Sequence, residues 1–295
     1  MKVIVAGAAG LLGRYVLDRL RATGHHALGL SRTGAGGHAV TDYSVASLVP
    51  LLAGADAVVD LAATRPRPGA QPDMTSTVVT GTHLLEAAGR AGVVTLVQAS
   101  SVSVYDPAAP RPLTEDSPTL PRTAYGLAKL TVERWAGLDE HAAIRTVSLR
   151  VSHLLGGRDD TGYLVSTYLK LAADGKDLPV HEPLGPARDL LYAGDAARAI
   201  ELALTTPTAR GPFNVAGLHL LTPAQLAQAV SDTVGGRVVG GDPAWRHAPS
   251  RPTSDEVSTD RVRDVLGFTP AHDVRSALVE IREELDRDRS LCPGA

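Results

Sequence analysis

The sequence predicts an α/β fold, a doubly wound parallel sheet with a smaller C-terminal substrate-binding lobe. Three observations carry this. Over the first 150 residues, short β-branched runs alternate with amphipathic segments of helical length. A glycine-rich turn joins the first such run to the first such helix. After Arg150 the rhythm shifts to longer polar connections and shorter elements.

Strands are expected at Val3 to Ala6, Ala27 to Leu30, Ala57 to Leu61, Val93 to Gln98 and Thr146 to Leu149. Helices are expected between them at Leu11 to Ala22, Ser44 to Leu52, Thr77 to Ala91 and Ala124 to His141, where apolar residues recur at spacings of three and four. The core is assigned to residues 1–155 and the lobe to residues 156–295, with elements of the lobe returning to the core. Irregular stretches are expected at Gly156 to Asp160, Glu182 to Pro186 and Pro243 to Pro252, and a charged helix at Val274 to Leu285.

Composition narrows the function. The 295 residues carry 29 basic and 32 acidic side chains and no basic block, so nucleic acid is not an expected partner. The single cysteine, Cys292, forms no intrachain disulfide, and no apolar run reaches the roughly 20 residues of a membrane span. Met1 leads directly into strand-like Val3-Ile4-Val5, so no leader is expected, and the expectation is a cytoplasmic enzyme. None of the ten histidines has metal-ligand spacing, so no metal site is assigned.

The turn "AGAAGLLG" places Gly7, Gly10 and Gly13 after a strand and into a helix beginning at Leu11 and Leu12. A dinucleotide turn needs a residue without Cβ where the chain reverses, where pyrophosphate meets backbone, and where helix meets sheet. The helix N-terminus then offers free N–H groups to phosphate. At the end of the second strand stand Ser31, Arg32 and Thr33, where an NAD site presents an acid to the ribose hydroxyls. An arginine with neighbouring hydroxyls suits a 2′-phosphate, so NADP(H) is favoured over NAD(H).

Seven tyrosines and four lysines would give roughly 0.1 Tyr-x-x-x-Lys pairs by chance. One occurs, at Tyr125 and Lys129. In a helix this spacing puts both on one face. A neighbouring cation favours a phenolate, which makes such a pair a tuned proton donor for a carbonyl oxygen; a plain surface pair has the same spacing.

With these motifs, and with "DLAA" at Asp60, "GTHLLEAA" at Gly81, "ASSVSVYD" at Ala99, "TEDSPTLPRTAYGLAK" at Thr114, "RDLLYAGDAARAI" at Arg188, "FNVAG" at Phe213 and "LGFTP" at Leu266, the chain resembles an extended short-chain dehydrogenase/reductase of the NAD-dependent epimerase/dehydratase family. The resemblance implies a Rossmann-like core. It implies that Ser101 hydrogen-bonds the substrate oxygen, that Tyr125 transfers the proton and that Lys129 also binds the nicotinamide ribose. It puts Asp42 and Tyr43 by the adenine, and Leu61, Ala62, Ala63 and Ala99 along the cofactor. Val151 and Ser152 would approach the nicotinamide, and Val102, His153, Arg188 and Arg251 the substrate. Family members often dimerise through the helices here at Thr77 to Ala91 and Ala124 to His141, which makes a homodimer an expectation.

Departures from the family pattern separate its reactions. The dehydratases' acid and base positions are Val102 and Ser103 here, neither of which titrates usefully, so a 4,6-dehydratase is not expected. Cys292 cannot be the catalytic cysteine of the epimerising reductases. Val78 and His153 replace asparagines frequent in the family, which weakens a sugar-nucleotide assignment. The leading expectation is an NADP(H)-dependent reductase of a ketone or aldehyde, with a small-molecule substrate such as a nucleotide-activated deoxysugar 4-ketone. The alternatives are a reductase of a small non-nucleotide carbonyl compound, a sugar-nucleotide epimerase, and a dinucleotide-sensing regulator without turnover.

Overall fold

The computed structural model describes residues 1–64, 74–157, 163–181, 187–240 and 256–291. Arg251, Cys292 and most of the three expected irregular stretches lie outside them. In the first half, strands β1 (Lys2–Ala6), β2 (His26–Ser31), β3 (Ala39–Val40), β4 (Ala57–Asp60), β5 (Thr95–Ser101) and β6 (Arg145–Val151) alternate with helices α1 (Leu11–Ala22), α2 (Val45–Leu52), α3 (Thr75–Arg90) and α4 (Ala124–Ala136). The second half supplies β7 (His153–Leu155), α5 (Leu164–Ala173), β8 (Leu178–Pro179), β9 (Arg188–Tyr192), α6 (Ala193–Thr205), β10 (Gly211–Val215), β11 (Leu220–Leu221), α7 (Pro223–Thr233), β12 (Val238–Val239), α8 (Asp260–Leu266) and α9 (Val274–Leu291).

Seven parallel strands form one sheet in the order β10-β6-β5-β4-β1-β2-β3. Strand order reverses between β1 and β4, which opens a crevice at their carboxyl ends. The central strands are apolar because helices cover both faces. Val3, Val5, Leu12, Val16 and Leu20 pack on one face with Ile200 and Phe213, and Ile4, Ala6, Leu48, Leu84 and Leu96 on the other. Thus α6, β10 and α8 return to the core from the second half. A separate cluster built on Leu155, Tyr168, Leu190, Leu226, Val230, Leu278 and Ile281 forms the heart of the lobe.

Three element ends differ from expectation in ways that matter for the site. Strand β5 runs to Ser101 and β6 to Val151, and the two residues pair in register, because Ser100 and Arg150 find buried partners that allow polar residues to stay inside the sheet. Helix α4 stops at Ala136, since Gly137 favours leaving the helix, and Asp139–His141 form a separate 3-10 turn. Among the described residues, no helix is long and apolar enough to cross a membrane.

Two polar fastenings join the halves. The Tyr15 and Tyr192 hydroxyls donate to the two oxygens of Glu284 at 2.5 and 3.0 Å, and Gly157 N–H donates to Tyr15 at 3.2 Å, so α1, β9 and α9 share one carboxylate. Burial pushes both phenols well up, and they remain protonated donors. The Arg145 guanidinium closes the end of α6 by donating to the carbonyls of Ala203, Leu204, Thr206 and Ala209 at 2.8 to 3.2 Å, partners that the last turn of a helix lacks.

Candidate active site

Each glycine of the turn has a different physical reason. Gly7 has φ +77°, and a Cβ there would stand 2.7 Å from the Leu61 carbonyl group. At Gly13 a Cβ would lie 2.4 Å from Gly7 O, so this residue lets α1 press onto β1. At Gly10 a Cβ would meet only Gly7 O, at 3.2 Å, which leaves its other side clear. No side chain caps α1, so its first N–H groups are available to an anion.

Tyr43, expected beside the adenine, is buried under this turn at φ +62°. Its hydroxyl accepts from Gly7 N–H at 3.0 Å and donates to Leu30 O at 3.2 Å. Asp42 is exposed and accepts from Ser47 Oγ and Ser44 N–H at 2.6 and 2.8 Å, which hold its pKa at about 2. At the end of β2, Ser31 Oγ accepts from Gly34 N–H at 2.9 Å, and Thr33 Oγ1 accepts from Ala35 N–H at 3.4 Å. Arg32 is exposed and has no hydrogen-bond or ion-pair partner among the described residues.

Across the crevice, Ser101 ends β5 and its Oγ accepts from Ser103 N–H at 3.1 Å. Helix α4 starts where Thr123 Oγ1 accepts from Gly126 N–H at 3.0 Å, and it carries Tyr125 and Lys129 in its first two turns. Lys129 is buried and donates to Ala99 O at 2.7 Å, two residues before Ser101. Fully buried Asp60 shares its field: burial pushes that carboxyl up, and the Lys129 charge and the Ala62 N–H pull it back.

Gly126, the one weak helix former between Tyr125 and Lys129, is there for contact. A Cβ on it would lie 2.2 Å from Ser103 O and 2.9 Å from Ser103 C, so only glycine lets α4 approach the turn after Ser101 this closely. Behind this contact sits a buried ion pair. Arg150 on β6 donates through Nε to Glu133 Oε2 at 3.2 Å and through Nη2 to Glu133 Oε1. Its Nη1 donates to Tyr105 Oη and Glu115 O, both at 2.9 Å. Ser100 Oγ donates to Glu133 Oε2 at 2.9 Å, and Tyr105 Oη donates to Asn214 Oδ1 at 2.6 Å. The Asn214 amide donates in turn to Leu113 O and Ser258 O at 3.1 Å.

These elements enclose a cleft of about 630 Å³. Of the residues expected at the cofactor, Gly7, Gly10, Leu11, Leu12, Gly13, Leu61, Ala63, Ala99, Val151 and Ser152 line it together with Ser101, Tyr125 and Lys129. Val102, His153 and Arg188 line it as well, while Ser31, Arg32, Thr33, Asp42, Tyr43 and Ala62 stand outside its wall. Arg188 Nη1 lies 2.9 Å from His153 Nε2. The lobe adds an apolar wall that includes Leu164, Leu221, Pro223 and Leu226, which periodicity alone could not assign to a site. Gly126, Glu133 and Asn214 also escaped the sequence reading; a charge four residues beyond Lys129, and another inside the apolar strand "SLRV", were the available signals.

The residues fit a dinucleotide. The turn offers uncapped N–H groups with clear space at Gly10, and the buried Ser152 hydroxyl in the cleft wall has no hydrogen-bond partner among the described residues, a state that a ligand would relieve.

The sequence matches the NAD dependent epimerase/dehydratase family over residues 3–216. It is 28% identical to a dTDP-glucose 4,6-dehydratase of Streptomyces niveus, over 96% of this chain and 92% of that one. It is 29% identical to a UDP-glucose 4-epimerase of Azospirillum brasilense, over 98% and 92%. The crystal structure of UDP-N-acetylglucosamine 4-epimerase from Bacillus cereus superposes with a TM-score of 0.83 at 26% identity, covering 97% of this chain and 99% of that one.

The buried pair makes a stability test. Glu133→Ala leaves the Arg150 guanidinium buried without its counter-ion, and the expected loss is about 3–5 kcal/mol in urea unfolding. A loss below about 1 kcal/mol, the scale of an exposed pair, would contradict the burial of the pair.

Proposed function

Because the chain belongs to the NAD-dependent epimerase/dehydratase family of extended short-chain dehydrogenases/reductases, we propose that it is a cytoplasmic NADP(H)-dependent reductase of a ketone or aldehyde, with a nucleotide-activated deoxysugar 4-ketone as its substrate. The observation that carries this reading is the single cleft in which Ser101, Tyr125 and Lys129 face the glycine turn. The substrate class is supported by the sugar-nucleotide enzymes among its relatives and by Arg188 in the cleft wall, a cation suited to a diphosphate.

Gly7, Gly10, Gly13 and the first N–H groups of α1 would hold the pyrophosphate, with Val151 and Ser152 at the nicotinamide end. Bound there, the nicotinamide supplies hydride chemistry. The protein's part is the proton. Ser101 Oγ already accepts the Ser103 N–H, so its own O–H is left to donate to a carbonyl oxygen. The Tyr125 phenol delivers a proton to that oxygen as negative charge develops on it. The Lys129 ammonium, fixed by Ala99 O, keeps donors for the ribose and a positive charge beside the reacting oxygen.

A second reading, a sugar-nucleotide epimerase, is supported by the near full-length likeness to the Bacillus cereus 4-epimerase and needs no additional acid or base. Exposed, unengaged Arg32 favours the reductase, because a 2′-phosphate belongs to a cofactor that is reduced elsewhere and exchanged. A pure sensor would have no use for the Ser101 and Tyr125 geometry. The outer face of α3 and α4 exposes Val79, Leu127 and Trp135, and we assign it to a homodimer contact.

Three measurements check these readings. Tyr125→Phe is expected to lower NADPH-dependent reduction of nucleotide-sugar ketones by roughly 100- to 10,000-fold with little change in NADPH affinity; a fully active variant would assign the proton to another group. NADPH is expected to bind more tightly than NADH, with Arg32→Ala erasing most of the difference, and equal affinities in the unaltered protein would remove the NADP assignment. In light scattering, a dimer is expected that Leu127→Glu converts to monomer; a monomeric parent protein would refute the contact.

A further inference from the structure

The segment between β2 and β3 holds a side chain that neither the glycine turn nor Arg32 explains. From Arg19 to Thr41 the sequence contains Arg19, Arg21, His25, His26, Arg32 and His38 and no acidic residue. Strand β3 begins at Ala39, paired with Leu30, so His38 comes alongside Gly29 one step earlier in the same register. Gly29 leaves the room that the imidazole takes: a Cβ there would lie 2.5 Å from His38 Nδ1 and 2.6 Å from Ala8 Cβ, in the glycine turn itself. On its other side, a Cβ on Gly36 would lie 3.1 Å from His38 Nε2. Gly34, Gly36 and Gly37 all adopt the left-handed backbone that wraps the chain around this ring.

The ring is half-buried, and neither of its nitrogens has a hydrogen-bond partner among the described residues. Gly29 and Ser31 are two residues apart in one strand and share a face, so the imidazole lies on the Ser31 side of the sheet. The Ser31 Oγ accepts from Gly34 N–H and keeps its own proton to donate. An imidazole and a hydroxyl donor therefore share one side of β2 beside the turn that suits a pyrophosphate, and the exposed Arg32 follows Ser31 in the chain.

We propose that His38 is a determinant of cofactor choice, contributing an imidazole N–H, with Arg32 and Ser31, to a phosphate monoester on the 2′-oxygen of the adenosine ribose. This rests on the NADP(H) reading and adds a residue to it. A phosphate monoester carries about two negative charges and three acceptor oxygens at neutral pH, whereas a ribose hydroxyl is uncharged and offers one oxygen, to which an N–H bonds more weakly. Loss of the donor therefore acts on NADPH and spares NADH.

The test is fluorescence titration of the purified full chain with NADPH and with NADH. His38→Phe keeps a ring between Gly29 and Gly36 and removes the N–H; the NADPH Kd is expected to rise about 10- to 150-fold, as for one lost hydrogen bond to a charged group, with the NADH Kd unchanged. His38→Gln returns a donor and is expected to recover part of the loss, and it serves as well if the phenylalanine variant does not fold. An unchanged NADPH Kd, or equal losses for both cofactors, overturns the proposal, the second result meaning that the ring only shapes the loop. If Arg32→Ala erases the preference for NADPH while His38→Phe retains it, the role of His38 fails and the NADP(H) reading stands. An unaltered protein with no preference overturns both.

Discussion

The geometry of the site depends on one buried ion pair. Arg150 and Glu133 are both enclosed, and taking two charges out of water costs several kcal/mol per ion unless every donor and lone pair is engaged. Here they are densely engaged: the guanidinium meets the carboxylate, Tyr105 and Glu115, and the carboxylate also accepts from Ser100. Separating the two charges would strand both in the interior, so the pair restrains the relative placement of β5, β6 and α4. Those are the three elements that carry Ser101, the Val151-Ser152 wall, and Tyr125 with Lys129.

Around that pair, several short motifs of the sequence have physical roles. The glutamate of "TEDSP" offers its carbonyl to Arg150 and its carboxylate, at 2.7 Å, to the Asn214 N–H. The asparagine of "FNVAG" ties β10 to Tyr105 and to the carbonyls of Leu113 and Ser258. Gly126 completes the alignment at the other end of α4, because the Ser103 carbonyl occupies the space a side chain would need. A polar anchor at the base of the helix and a missing Cβ at its tip together set how far Tyr125 stands from Ser101.

The cofactor side obeys a different constraint, close approach of backbone. Gly7 and Gly13 are excluded from bearing a Cβ by Leu61 and by the turn itself, while Tyr43 props the turn from below with its hydroxyl. The strand reversal between β1 and β4 then provides the crevice above it. The lobe contributes the apolar opposite wall, and Tyr15, Tyr192 and Glu284 fasten that lobe to the same helix that begins at the glycine turn.

By itself the sequence determined the alternating strands and helices of the core, the glycine turn and the Tyr125 and Lys129 pair, because these are local patterns whose periods of two and 3.6 residues or fixed spacings can be counted. Family likeness supplied Ser101, which spacing could not. What only the tertiary structure decided are the relations between distant segments. Glu133 and Arg150 read as a surface charge and a misplaced one until the fold buries them against each other; Gly126 reads as a weak helix residue until Ser103 is set beside it. Tyr43 and Asp42 are adjacent in the chain, yet one is spent under the turn and the other at the mouth of α2. His38 stands nine residues from Gly29, and nothing in either residue's neighbourhood announces that one fills the space the other leaves. Such contacts follow from sheet register and packing, which bring together residues that the chain keeps apart.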